Sequence, residues 1–163
     1  MKNILYSPWR IDYIVSQKNE SCVFCFNEDD NDEDHFVIYR SLHCYVIINT
    51  YPYNNGHIMV NPNRHVSSLS DLNKEEIHDL FETVQLSEIV LKNVYNPEGI
   101  NCGINIGKAA GAGIKDHLHV HLLPRWSGDS NFITTLAGTR VIPEEFSVAY
   151  KKLKEGFEKA IQI

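Results

Sequence analysis

The segment DHLHVHLLPRW, residues 116–126, constrains the fold more than any other stretch, because histidine and a bulky aliphatic residue alternate in it from His117 to Leu122. A period of two is the period of a β-strand. One face of that strand must carry Leu118, Val120 and Leu122 into a core, while the other presents His117, His119 and His121 side by side. Three of the eight histidines fall within five residues and in phase. Such a row is costly on an idle surface, and near neutral pH an imidazole serves as nucleophile, proton donor or metal ligand. A catalytic zinc held by the three histidines is a second reading of the same row.

The rest of the chain supplies a sheet around this strand and helices to cover it. Runs rich in β-branched and aromatic residues at 36–39, 44–48 and 57–61 predict three earlier strands, the last two joined by the left-handed turn residues Asn54, Asn55 and Gly56. Asn73 with Glu76 predicts the start of a long helix whose buried face would be Ile77, Leu80, Phe81, Val84, Leu91, Val94 and Tyr95, ended by Asn96, Pro97 and Gly99. Residues 100–106 and 116–123 predict two more strands. Pro143 with Glu144 and Glu145 opens a last helix with a buried stripe of Phe146, Tyr150, Leu153 and Phe157. Ser7 and Pro8 open a short helix through Trp9, Tyr13 and Ile14, and residues 28–34 read as a solvated acidic loop. Strands, a helix and more strands, without regular βαβ alternation, predict an α+β domain: an antiparallel sheet of about five strands, a long central helix and a C-terminal helix. No repeat or linker divides the chain, so residues 1–163 are expected to form one domain. Within it, 1–35 would hold an N-terminal helix and a metal-ligand loop, and 124–163 a C-terminal tail and helix.

A formal charge of −6 argues against a duplex nucleic acid as partner, so any phosphate site must be local. No apolar run reaches the roughly 20 residues of a bilayer span, and the start MKNILYSPWR lacks a signal-peptide apolar region. The expectation is a cytoplasmic protein with no membrane contact, whose four cysteines are reduced thiols or metal ligands. Cys44 and Cys102, each in an apolar run, are expected to be inert core residues. Cys22-Val-Phe-Cys25 has the C-x-x-C spacing that lets two thiolates grip one zinc, and His65 and His117 can complete a tetrahedral set. Two unliganded loop cysteines are the alternative; a thioredoxin-like redox pair is disfavoured, because no βαβ pattern surrounds it. Just before the histidine row lies NIGKAAGAGIKD, a glycine-rich connection whose backbone N–H groups can approach and cradle an anion.

On these residues a resemblance becomes specific. HLHVHLL resembles the alternating pattern of the histidine triad (HIT) family, within the broader group that includes galactose-1-phosphate uridylyltransferase, and NTYPYNNGHIMVNPNRHV resembles the family's Asn, Gly-His and Pro-x-x-His stretch. SPWRIDYI and GDSNF are similar to segments of its bacterial diadenosine tetraphosphate phosphorylase-like and hydrolase members. The resemblance implies a HIT-like fold and cleavage of a nucleotide substrate, such as a dinucleoside polyphosphate, at the α-phosphorus. It implies His119 as nucleophile, His121 as phosphate contact and aid to the leaving group, and His57 as support. Asn49 would contact the ribose, and Asn105 with Gly111, Ala112, Gly113 and Ile114 the phosphates. Many relatives carry serine or threonine three residues before the first histidine, where this chain has Ile114. The resemblance further implies structural zinc on the first histidine of the row and a homodimer joined across a two-fold interface. A nucleotide-binding regulatory module with little turnover and an AMP-phosphoramidate hydrolase are the alternative functions; a purely structural zinc protein would leave the triad without a purpose.

Overall fold

The computed structural model describes residues 22–26, 30–130, 132–138 and 141–162. Among these, five strands form one antiparallel sheet in the order β1-β2-β3-β5-β4: β1 Val37–Arg40, β2 Cys44–Ile48, β3 Ile58–Pro62, β4 Gly99–Ile104 and β5 Val120–Arg125. The helices are α1 Lys74–Tyr95, α2 Phe132–Ala137 and α3 Phe146–Ala160. This is the expected α+β architecture. The helix predicted after Ser7 lies outside the described residues.

Helix α1 starts where the sequence places it. Asn73 Oδ1 accepts from the Glu76 N–H, and Glu76 Oε2 accepts from the Asn73 N–H, both at 2.8 Å, a complete capping box. Asn96, in the left-handed region at φ 44°, ends it. Of the expected face, Leu80 and Leu91 are buried and Val84, Val94 and Tyr95 pack against the core, whereas Ile77 and Phe81 are exposed and Thr83, Ser87 and Val90 are buried in addition. Helix α3 packs beside it at Gly156, where a Cβ would come within 2.6 Å of a Val94 methyl. Its stripe is the predicted one, with Leu153 and Phe157 buried and Phe146 and Tyr150 packed against the same core.

The sheet separates two apolar clusters. On the helical side Val46, Ile48, Ile58, Val60, Leu118, Val120 and Leu122 meet Leu80, Val90, Leu91, Leu153 and Phe157. On the other side a smaller cluster of Phe24, Val37, Tyr45, Ile47 and Met59 borders the histidines. The aliphatic half of the alternation is thus buried as expected, although β5 begins only at Val120. His117 and His119 precede it, where the Leu118 N–H donates to Val66 O at 2.6 Å and ties the chain down. Cys44 is buried, but Cys102 is exposed, because β4 is an edge strand with little packed over Asn101, Cys102 and Gly103. No described helix is long and apolar enough to cross a membrane.

Candidate active site and metal cluster

The face opposite the helices carries two groups of histidines that meet at residues 117–119. At one end Cys22, Cys25, His65 and His117 converge, their ligand atoms all within 4.8 Å of one another. His117 Nδ1 is 3.4 Å from Cys22 Sγ and 3.6 Å from Cys25 Sγ, and His65 Nδ1 is 3.2 Å from Cys25 Sγ. A tetrahedral zinc with ordinary Zn–S and Zn–N lengths sets sulfur and nitrogen about 3.5 Å apart, so this donor set fits the ion. His117 Nε2 donates to Pro62 O at 2.9 Å, which leaves Nδ1 as the lone-pair nitrogen facing the thiols. Burial holds the His117 pKa below its ordinary value, consistent with a neutral ligand.

At the other end stand His57, His119 and His121. His119 Nδ1 donates to the His117 carbonyl at 2.8 Å, so its proton is fixed there and Nε2 carries the free lone pair. The His119 and His121 rings lie 4.8 Å apart, centroid to centroid. The tautomers of the other two follow from their partners. The Tyr53 N–H donates to His57 Nδ1 at 3.1 Å, which makes that nitrogen an acceptor and places the His57 proton on Nε2. His57 Nε2 then donates to His121 Nδ1 at 2.9 Å, and the His121 proton sits on Nε2. Burial first, then the neighbouring imidazoles, pushes His57 down to about 3 and His121 down to about 4. Both observations make His121 a neutral imidazole with its N–H on Nε2. A second proton on His121 would remove the acceptor that His57 uses.

Asn49 lies beside His57, its Oδ1 accepting from the Tyr51 N–H at 2.8 Å and its Nδ2 at 3.3 Å from His57 Nδ1. In β4, Gly103 is in register with His121 and Ile104 with Val120, which leads Asn105 to the level of His119. The glycine-rich segment folds as a single 3-10 turn, Lys108–Ala110, with Gly107 at φ 82° and Gly111 at φ 90°, angles that only glycine adopts freely. The N–H groups of Gly111 and Ala112 close that turn on Lys108 O and Gly107 O. Among the described residues no backbone bond takes up the N–H of Gly113 or Ile114. Ile114 points its side chain at the cluster of Phe24, Tyr45 and Met59. Where relatives offer a hydroxyl, this chain offers packing.

Several residues of the site are not singled out by sequence reasoning. Phe24, buried within the C-x-x-C loop, packs on both His117 and His119, with centroids at 5.6 and 5.3 Å. Tyr45 donates to the Phe24 carbonyl at 2.6 Å and holds that loop down. Tyr53 lies 4.7 Å from the His57 ring. Asp129, from the GDSNF segment, accepts from Asn54 at 2.8 Å and from Arg125 Nε at 2.6 Å, tying the β2–β3 loop to the end of β5. The aromatic residues flanking the cysteines and preceding Gly56 were the available signal; a pairing such as Asn54 with Asp129 has no signature in sequence. A recess of about 490 Å³ lies on the helical side between Tyr95, Trp126 and Glu144, but the Glu144 oxygens are already taken by Tyr95 and Lys152. The chemistry is on the histidine face.

Comparison with known proteins agrees with this geometry. Residues 30–128 match the HIT domain family model. Over 149 residues the chain is 40% identical to the AP-4-A phosphorylase of Mycobacterium tuberculosis, covering 86% of this chain and 76% of that one. A histidine triad nucleotide-binding protein from Sulfolobus tokodaii superposes with a TM-score of 0.66 at 26% identity, covering 86% and 92% of the two chains. A zinc-bound histidine triad family protein from Mycobacterium smegmatis superposes at 0.64 with 25% identity, covering 78% and 86%. On the family match and the extent of these likenesses, the chain belongs to the HIT domain family.

Proposed function

We propose that this protein cleaves dinucleoside polyphosphates, or related nucleotidyl substrates, at the α-phosphorus through a nucleotidyl group carried on His119. The observation that carries the reading is the 2.8 Å bond from His119 Nδ1 to the His117 carbonyl, which aims an unprotonated Nε2 away from the backbone. His119 Nε2 attacks the α-phosphorus, the bond to the leaving polyphosphate oxygen breaks, and that oxygen takes the electron pair. The His121 Nε2–H donates to the developing charge, with His57 holding His121 in that tautomer. Water or inorganic phosphate then displaces the nucleotide from His119, giving hydrolysis or phosphorolysis. In this reading the N–H groups of Gly113 and Ile114 and the side chain of Asn105 hold phosphate oxygens, with Asn49 as ribose contact. Lys108, which makes no ion pair with a described residue, adds the local positive charge.

In the same reading Cys22, Cys25, His65 and His117 hold zinc. The ion supplies folding free energy rather than chemistry, because His117 turns away from the attacking nitrogen. The exposed edge of β4 and the exposed Phe81 and Ile89 of α1 are the surface we assign to a homodimer, and we expect a single HIT domain over residues 1–163 working in the cytoplasm. The test is product analysis on diadenosine tetraphosphate. Release of AMP with ATP, shifting to ADP with ATP when phosphate is added, supports a phosphorylase. Products unchanged at millimolar phosphate make it a hydrolase. No turnover together with tight AMP binding would replace the reading with a regulatory nucleotide-binding module.

A further inference from the structure

The GDSNF segment lies outside the histidine row, yet its carboxylate is built into the fold. Asp129 follows β5, and its side chain is only 5% exposed. Asp129 Oδ2 accepts from Asn54 Nδ2 at 2.8 Å and from Arg125 Nε at 2.6 Å, while Oδ1 accepts from Arg125 Nη2 at 3.1 Å. The buried Asn54 gives its amide to Pro124 O as well, at 3.1 Å. Two residues on, Gly56 at φ 70° rests so close to the Tyr95 ring that a Cβ would come within 2.7 Å of it. The β2–β3 loop is thereby held on both sides of Asn55.

What the loop brings to the histidines is a pair of backbone donors. The Tyr53 N–H, next to Asn54, donates to His57 Nδ1 at 3.1 Å. The Tyr51 N–H holds Asn49 Oδ1, which turns Asn49 Nδ2 toward the same ring nitrogen at 3.3 Å. Both keep His57 Nδ1 an acceptor, so the His57 proton is on Nε2 and is given to His121 Nδ1. If His57 took the other tautomer, the pair would reverse: His121 would donate from Nδ1, and its Nε2 would offer a lone pair where the proposed reaction needs a proton. We infer that Asp129 is a positioning residue for that reaction, fixing through Asn54 the loop N–H groups that set the tautomers of His57 and His121. The inference rests on the proposed cleavage at the α-phosphorus, in which the His121 N–H meets the leaving oxygen. Outer partners of this kind act by orienting a ring and choosing its tautomer, without touching substrate.

The test follows tautomers and turnover in the same variants. In nitrogen-15-labelled wild type at about pH 8, where imidazoles are neutral, long-range proton–nitrogen spectra should show His57 and His121 each protonated on Nε2. Asp129→Ala and Asn54→Ala should both shift the two rings toward the Nδ1–H form. Both should also lower kcat on diadenosine tetraphosphate by about tenfold or more, with KM within about twofold. The double variant should lose little more than either single one, because the two residues act through one bond. If Asp129→Ala does not fold, Asn54→Ala, which leaves the Arg125 pair in place, decides. Unchanged tautomers and kcat, whatever the loss in melting temperature, would overturn the inference and leave Asp129 a clamp, with the cleavage reading intact. A fall in kcat without a tautomer shift, or a shift without a fall, overturns it equally. A wild type that does not cleave the dinucleotide overturns the cleavage reading and the inference with it.

Discussion

His117 and His119 are two residues apart on the same face, and they turn opposite ring nitrogens to the backbone. His117 spends Nε2 on a carbonyl, that of Pro62, and turns Nδ1 to the cysteines. His119 spends Nδ1 on a carbonyl, that of His117, and leaves Nε2 free. On the proposed reading one imidazole is the ligand and the other the nucleophile, and the carbonyl that orients the nucleophile belongs to the ligand. The two histidines differ in which nitrogen the backbone occupies, a difference that neither the residue type nor its burial reveals.

The strongest way to break this division is His119→Gly, which should lower turnover of dinucleoside polyphosphates by about 10³-fold or more. Nucleotide affinity should stay within about tenfold, because ribose and phosphate contacts lie elsewhere. Rapid quench of the wild type should trap an acid-labile adduct, and near wild-type turnover by His119→Gly would remove the nucleophile assignment. At the metal end, Cys22→Ser or Cys25→Ser should cost one equivalent of zinc per chain and lower the melting temperature by roughly 10 °C, since a structural ion contributes folding free energy directly. If metal content depended instead on His119 and His121, the two ends would have exchanged roles and the zinc would be catalytic.

A third comparison uses pH. His57 and His121 are held down to about 3 and about 4 in the folded protein, chiefly by burial, against about 6.5 unfolded. Between those values the unfolded chain binds more protons, so stability is intact above about pH 6.5 and falls as the pH drops toward 4 and below. Melting curves across that window should slope downward with acid, and His57→Gln should flatten part of the slope. An unchanged slope would show that His57 does not carry it.

The smallest expected effect sharpens the contrast without touching either group. Arg64, next to His65, grips Glu76 with two bonds of 2.8 Å, and these bonds with the Asn73 cap hold the Glu76 carboxyl down to about 2. That contribution is present above the ordinary carboxylate value and is lost as the pH falls toward 2. Glu76→Gln should lower the melting temperature by about 3 °C at pH 7 and by progressively less in acid. It should loosen metal retention at the His65 end while leaving kcat of the metal-loaded protein within about twofold, as expected for a change remote from the reacting atoms. A large fall in kcat would mean that the two ends are coupled more tightly than their separate tautomers imply.

Much of this protein is legible without coordinates. The alternation from His117 to Leu122 determines a strand with one apolar face, and Leu118, Val120 and Leu122 are indeed in the core. Asn73 with Glu76 determines a helix start, because a capping box is made by residues three apart whose geometry needs no tertiary partner. The C-x-x-C spacing marks a metal-competent loop for the same local reason. The long-range decisions belong to the tertiary structure alone. On α1 the edges of the buried face belong to the tertiary structure: Ile77 and Phe81 are exposed while Thr83 and Ser87 are buried, because which arc of a helix meets the sheet is not encoded by hydrophobicity alone. Cys102 looked like a core residue until β4 proved to be the edge. Which nitrogen each histidine releases was also beyond the sequence, since the deciding carbonyls and N–H groups belong to Pro62, His117 and Tyr53, and only packing of β3, β5 and the β2–β3 loop sets them against the rings. Residue types and their spacing determined that this face would carry a row of imidazoles; three backbone hydrogen bonds, with the His57–His121 bond that follows from one of them, decided where each carries its proton.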